Sequence, residues 1–159
     1  MNPARHSTAG VTLIEMLIVV TLIGLLAGIT FPSVSSGLDT LRLNQATNQL
    51  VSFFNDGLNR AERREQVVAI TVLQAQNTLS MRSAEPGFER RLELPQGISI
   101  VRVLPESEQA AGEPRQFLFF PGGTMPRVGI EIVNLRKARR MVRVDPITGV
   151  PQIERAENP

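Results

Sequence analysis

Length, composition and charge restrict what this chain can be. It has 159 residues, a formal net charge of +2 and 42% hydrophobic residues. That length allows one modest domain with an anchor but excludes two large domains, and the apolar content excludes disorder throughout. Cysteine is absent, which excludes disulfides, thiolate metal sites and thiol catalysis. His6 is the single histidine, and it lies in a segment that we predict below to be removed. We therefore predict no enzymatic activity, no metal site and no cofactor.

An apolar segment lies near the amino terminus. Residues 11–31 contain one charged side chain, Glu15, and are followed by Pro32. As a helix rising 1.5 Å per residue, this segment would be about 31 Å long, which is enough to cross a bilayer. It is too long for the apolar part of a secretory signal peptide and lacks a clear cleavage site of that kind. We therefore predict a transmembrane helix over residues 11–32.

The residues before this helix predict its orientation. Residues 1–10 include Arg5 as a fixed positive charge and contain no acidic residue. Positive charge flanking a membrane span favours the cytoplasmic side. We expect a single-pass membrane protein, with its amino terminus in the cytoplasm and its carboxyl-terminal body on the other side of the membrane.

Glu15 is the unusual residue of the predicted span. A carboxylate at the centre of a membrane helix costs about 2.5–3.5 kcal/mol. One interpretation is that its place near the helix start lets it reach the interface, where the helix dipole favours an anion. The other is that cleavage after Gly10 creates an amine on Val11, one helical turn from the carboxylate.

The sequence around these residues resembles a known signal. Gly10 followed by VTLIEMLIVVTLIGLLAGITFP is similar to the type IV prepilin signal of pilins and type II secretion pseudopilins. The resemblance implies that prepilin peptidase cuts after Gly10 and that the new amine of Val11 is methylated. It also implies that Glu15 draws the subunit into a growing filament. Val11 stands where this family usually has phenylalanine.

The rest of the chain predicts an α+β fold. Residues 33–65 continue as an amphipathic helix whose apolar stripe includes Leu50, Phe53 and Phe54, and this stripe is typical of core packing. In residues 66–159 the period changes toward two, and Gly- and Pro-rich turns separate short apolar runs. We predict a long N-terminal helix, transmembrane in its first half, packed on a small antiparallel β-sheet roll or sandwich, as in pilins. The predicted strands are residues 67–73, 78–82, 90–94, 98–104, 116–120, 128–135, 140–145 and 150–153.

The strand region adds a finer resemblance. Residues 117–153, together with residues 60–72 at the helix-to-strand junction, resemble the GspH/FimT type of pseudopilin. The resemblance implies a minor pseudopilin at or near the tip of the periplasmic pseudopilus of a type II secretion system. Its expected partners are other pseudopilins, prepilin peptidase and the inner membrane.

A cluster of cations is predicted at the turn before the strand over residues 140–145. It consists of Arg136, Lys137, Arg139, Arg140 and Arg143. Three interpretations stay open: a solvated turn, a contact with an acidic patch on a neighbouring protein, and a nucleic-acid site. FimT-like DNA-uptake pilins have an arginine motif after the terminal Thr-Gly, a position at which this chain has Val150, Pro151 and Gln152. We keep DNA binding for natural transformation as the alternative function.

Two further alternatives concern chemistry. A membrane-anchored periplasmic enzyme or solute-binding protein would need a deep polar pocket in the β domain. Glu106, Glu108 and Glu113 lie in a region without periodicity, residues 105–115, but lack the spacing of a dedicated calcium loop. We interpret them as solvated acids in a loop.

Overall fold

The computed structural model describes residues 11–106, 112–123 and 125–154, and it describes residues 30–36 by their backbone alone. The predicted leader, residues 1–10, lies outside the described residues. The chain divides into two compact units, Met1–Gly37 and Leu38–Pro159.

One helix, α1, extends over Leu13–Arg64. At its start the Thr12 hydroxyl accepts the backbone N–H of Glu15 at 3.3 Å, which satisfies one of the free donors of the first turn. At its end Glu65 adopts a left-handed φ of 51°, and the N–H of Gln66 donates to the carbonyl of Ala61 at 3.2 Å. This is a Schellman termination, and it places the end of the helix next to the predicted end near Glu65.

The outcome for the predicted membrane span differs from that for the predicted helix end. None of the helical residues that the structure describes form a segment long and apolar enough to cross a membrane. The predicted transmembrane span over residues 11–32 is therefore not confirmed by the structure.

The strands form two four-stranded sheets. One has the order β3-β2-β1-β5 and the other β4-β6-β7-β8, and every pairing is antiparallel. The eight predicted runs all become strands, and the predicted antiparallel α+β class is confirmed. The strands are β1 Val68–Leu73, β2 Thr78–Ser83, β3 Glu89–Glu93, β4 Ile98–Leu104, β5 Arg115–Phe119, β6 Gly129–Asn134, β7 Arg139–Val144 and β8 Pro151–Glu154.

The second unit has one hydrophobic core, to which the second half of α1 and both sheets contribute. Leu43, Leu50 and Phe54 of the helix are buried, so the predicted apolar stripe is core packing. The ring of Phe54 stacks on that of Phe119 in β5, with centroids 6.3 Å apart. Burial of aromatic rings of this size is a large part of what holds a helix to a sheet.

Gly57 lets α1 approach β1 closely. A Cβ at this position would lie 2.9 Å from Cδ1 of Ile70, which is closer than carbon atoms pack. The helix therefore lies against Ile70, which is fully buried, at a distance that only glycine allows without movement of that side chain.

Candidate functional site

The Glu15 carboxylate is available for contact with another molecule. Glu15 lies in the first turn of α1 and its side chain is exposed. Among the described residues, its carboxylate has no hydrogen-bond or ion-pair partner. An anion in the first turn is favoured by the helix dipole, so the carboxylate is tolerated there without a partner of its own. The spacing of Thr12 and Glu15, three residues apart, is typical of a helix cap, and this local role was missed in the sequence.

An exposed apolar surface surrounds Glu15. Every side chain of residues 11–29 is exposed, including Leu13 at 86%, Leu17 at 63% and Ile29 at 68% of full exposure. A contiguous apolar surface of this kind is rare on a protein that stays alone in water and marks contact with lipid or with another protein. In the described structure, the unpaired carboxylate of Glu15 therefore lies on an apolar surface, residues 11–29, that is suited to contact with lipid or with another protein.

The comparisons with known proteins agree with this arrangement. Residues 5–31 match the prokaryotic N-terminal methylation motif. This prepilin-type motif supports a type IV pilin-like protein. The match spans Gly10, Val11 and Glu15, the residues predicted for cleavage, methylation and assembly. No curated protein and no solved structure matches the chain.

A prepilin-type motif implies two kinds of partner. It implies processing by prepilin peptidase and assembly with other pilin-like subunits. Residues 5–31 do not include the β strands, so the GspH/FimT assignment and the individual roles of Gly10, Val11 and Glu15 stay predictions.

The structure does not place the five predicted cations on one turn. Arg136 and Lys137 lie in the turn between β6 and β7, whereas Arg139, Arg140 and Arg143 belong to β7. The turn is shorter than predicted because Arg139 already pairs with a residue of β6. Since side chains along a strand alternate between the two faces of a sheet, the cations do not all point in one direction.

The buried carboxylate of Glu131 forms ion pairs with two arginines. Glu131 in β6 has a side chain that is 1% exposed, and it lies between Arg102 of β4 at 2.7 Å and Arg139 of β7 at 3.2 Å. The hydrogen bond and charge of Glu131 raise the pKa of Arg102 above its ordinary value. A buried carboxylate needs such partners because an unpaired charge is costly away from water. Arg139 is thus a structural cation in the middle of the sheet.

Two more cations of the predicted cluster have acidic partners. The Nε of Arg136 donates to Oδ2 of Asp39 in α1 at 3.1 Å, and Arg143 lies 3.8 Å from Glu154 of β8. Neither acid was identified as a partner from the sequence, because Asp39 lies far away along the chain in α1 and Glu154 lies in a different strand. Pairing with carboxylates reduces the positive charge that the cluster offers to a phosphate backbone.

Asn134 shapes the turn that carries Arg136 and Lys137. Its side chain is buried, and Oδ1 accepts the backbone N–H groups of Arg136 at 3.0 Å and Ala138 at 2.9 Å. Lys137 adopts a left-handed φ of 64°, which a non-glycine residue enters only when its surroundings require it. The amide of Asn134 therefore fixes the geometry of the turn.

We expect Asn134→Ala to lower the free energy of unfolding by about 1–3 kcal/mol, because backbone donors would lose their acceptor. Urea unfolding followed by circular dichroism measures the change. Lys137→Gly is the matched control in the same turn, and it should change stability by less than about 1 kcal/mol because glycine accepts a left-handed φ. Equal losses in the two variants would contradict a role for the Asn134 side chain.

The predicted acidic loop is described only in part. Glu106 lies 3.7 Å from Arg102 and Glu113 is exposed, while Glu108 lies outside the described residues. Arg115, predicted to lie in this loop, instead begins β5 and donates to the carbonyls of Val103, at 2.6 Å, and Pro105. In the part of the chain that is described, no group of three His, Cys, Asp or Glu side chains could hold a metal ion.

Proposed function

We propose that this chain is a minor pseudopilin of the GspH/FimT type, a structural subunit of the periplasmic pseudopilus of a type II protein secretion system. Its role would be mechanical rather than enzymatic. The single observation that carries this proposal is the N-terminal methylation motif over residues 5–31. The resemblance of residues 117–153 to GspH/FimT-type strands supports the finer assignment.

In this proposal the apolar surface of residues 11–29 serves twice. It lies in the inner membrane after synthesis, with the amino terminus in the cytoplasm, and it packs against the same segment of other subunits after assembly. Gly24 and Gly28 have no packing role within the described part of the chain, because a Cβ at either position would meet no atom within 4 Å, so both are open to a neighbouring helix. Small residues at such positions let neighbouring helices approach closely.

Glu15 would select the register between subunits. A carboxylate buried among apolar helices is costly unless it is paired. One axial offset of the two helices would place the methylated amine of Val11 of a neighbouring subunit beside the Glu15 carboxylate. Any other offset would leave this carboxylate without a positive partner. The absence of a partner for this carboxylate among the described residues supports an intermolecular role.

The nucleic-acid alternative has weaker support. Three cations of the cluster, Arg136, Arg139 and Arg143, each have a carboxylate partner. No partner for the side-chain charge of Lys137 or Arg140 is found among the described residues. Binding to a phosphate backbone depends chiefly on the number of available cations. We therefore propose assembly as the function and retain DNA binding as the hypothesis that a salt-dependent binding assay would test.

The proposal is tested by the amino terminus of the mature protein. We expect intact-mass measurement and amino-terminal sequencing to give a chain that begins at a methylated Val11 when prepilin peptidase is present. In cells that lack the peptidase, the same measurement should give the unprocessed chain from Met1. A chain that is uncut in the presence of the peptidase, or that begins beyond Ala27, would contradict the proposed function.

A further inference from the structure

A groove lies at one end of the sheet that contains β6. It has a volume of about 380 Å³ and is formed where β4 ends, β6 begins and β7 ends. Its walls include Leu104, Pro105, Val144 and Pro146. This volume is within the range of about 300–1,000 Å³ that is typical of ligand sites. Its lining includes Arg143 of the predicted cation cluster and none of residues 11–29.

Two arginines lie in this groove, and none of its lining residues is acidic. Arg127 is exposed and has no hydrogen-bond or ion-pair partner among the described residues. Arg143 is 49% exposed and lies 3.8 Å from Glu154, a separation too long for a strong charge-assisted hydrogen bond. Both guanidinium groups are therefore able to donate hydrogen bonds to a further anionic group.

An acid next to the groove, Asp145, is bound within the turn before β8. Its carboxylate accepts the backbone N–H groups of Thr148 at 3.0 Å and Ile147 at 2.8 Å, and these bonds lower the pKa of Asp145. Asp145 lies between two lining residues but is not itself a lining residue of the groove, whose walls are two arginines on an otherwise apolar surface.

We propose that this groove binds an extended segment of a partner protein in which a carboxylate side chain neighbours an apolar side chain. The apolar side chain occupies the space between Leu104 and Val144, and the carboxylate accepts hydrogen bonds from Arg127 or Arg143. Guanidinium groups suit this role because they bind carboxylates in a bidentate manner.

A protein partner fits the groove better than a nucleic acid does. Single-stranded nucleic acids need aromatic side chains for stacking, and duplexes need several cations along the backbone. The groove has no aromatic lining residue and two cations. The remaining lining residues are apolar or glycine, which matches an apolar side chain. The same lining residues would bind such a segment whether the chain belongs to a secretion system or to a pilus.

The test uses the full chain in a mild detergent, because residues 11–29 are exposed and apolar. The probe is a fluorescein-labelled hexapeptide, Gly-Leu-Asp-Leu-Asp-Gly, and binding is followed by fluorescence polarisation at about 0.15 M salt. We expect saturable binding that the Arg127→Glu/Arg143→Glu double variant weakens by at least about tenfold. Changing both aspartates of the peptide to asparagine, or both leucines to serine, should weaken binding similarly.

A matched double variant controls for net charge. Arg63→Glu/Arg64→Glu changes the charge by the same amount at the end of α1, where both side chains are exposed, and we expect its affinity to stay within about twofold of the parent chain. Arg127→Glu alone serves as a second variant, because the Arg127 side chain has no hydrogen-bond or ion-pair partner among the described residues and the Arg143–Glu154 pair stays in place. This variant should weaken binding by at least about threefold.

Three results would overturn the proposal. The first is no saturable binding of the peptide, and the second is an equal loss of affinity in the two double variants, which would show unspecific charge attraction. The third is displacement of the peptide from the parent chain by a duplex oligonucleotide whose own binding is weakened by Arg127→Glu/Arg143→Glu, which would show that the groove binds phosphate.

Discussion

A Glu15→Ala variant is expected to reach the membrane normally and to be lost from filaments. In the proposed assembly, removal of the carboxylate would leave the amine of a neighbouring subunit unpaired among apolar helices, which costs about 3–5 kcal/mol. That cost corresponds to a loss of incorporation well above tenfold. The measurement compares the amount of the chain in sheared filaments with the amount in the membrane fraction, each by immunoblot.

Two matched variants separate assembly from local helix stability. Thr12→Ala removes the hydroxyl that accepts the N–H of Glu15, which weakens the helix start by about 0.5–2 kcal/mol but keeps the carboxylate. We expect it to retain most of its incorporation. Glu15→Gln keeps the size of the side chain but replaces the carboxylate with a neutral amide, and it should behave as Glu15→Ala does. If Thr12→Ala lost incorporation as fully as Glu15→Ala, the role of Glu15 would be local.

Phe54→Ala is expected to lower the free energy of unfolding by about 3–5 kcal/mol. The Phe54 side chain is 1% exposed and stacks on Phe119, so truncation removes buried surface and leaves a cavity between α1 and β5. This is a large share of the stability of an ordinary domain. Urea unfolding followed by far-ultraviolet circular dichroism is the suitable measurement, because the chain has no tryptophan or tyrosine.

Leu41→Ala is the control for the core variant. Leu41 belongs to the same helix but is 64% exposed, so its truncation should change the free energy of unfolding by less than about 0.5 kcal/mol. A small effect of Phe54→Ala, similar to that of Leu41→Ala, would mean that the helix does not pack on β5 through this ring.

Much of the candidate site at the amino terminus could be predicted from residues close together in the chain. Gly10, Val11 and Glu15 stand at a fixed spacing, and the match over residues 5–31 covers the same segment. The availability of the Glu15 carboxylate depended on the structure, because it required knowledge that this carboxylate has no hydrogen-bond or ion-pair partner among the described residues.

The groove could not be predicted. Arg127 stands alone between Pro126 and Val128, and no periodicity or motif sets it apart from the other arginines. It becomes notable because β4, β6 and β7 bring Leu104 and Arg143 to the same end of one sheet. These contacts join residues far apart in the chain, so local patterns contain no information about them.

Local patterns along the chain predicted the helix and the strands. The helix end near Glu65 follows from the change of apolar period, and the eight strands follow from apolar alternation between turns. The left-handed φ of Glu65 that closes the helix was visible only in the structure. Short turns account for the pairing of β6 with β7, whereas the pairing of β1 with β5 and of β4 with β6, and the ion pairs of Glu131 with Arg102 and Arg139, depend on the folded chain. Periodicity depends on neighbouring residues, whereas strand order and ion pairing depend on which distant surfaces bury each other best.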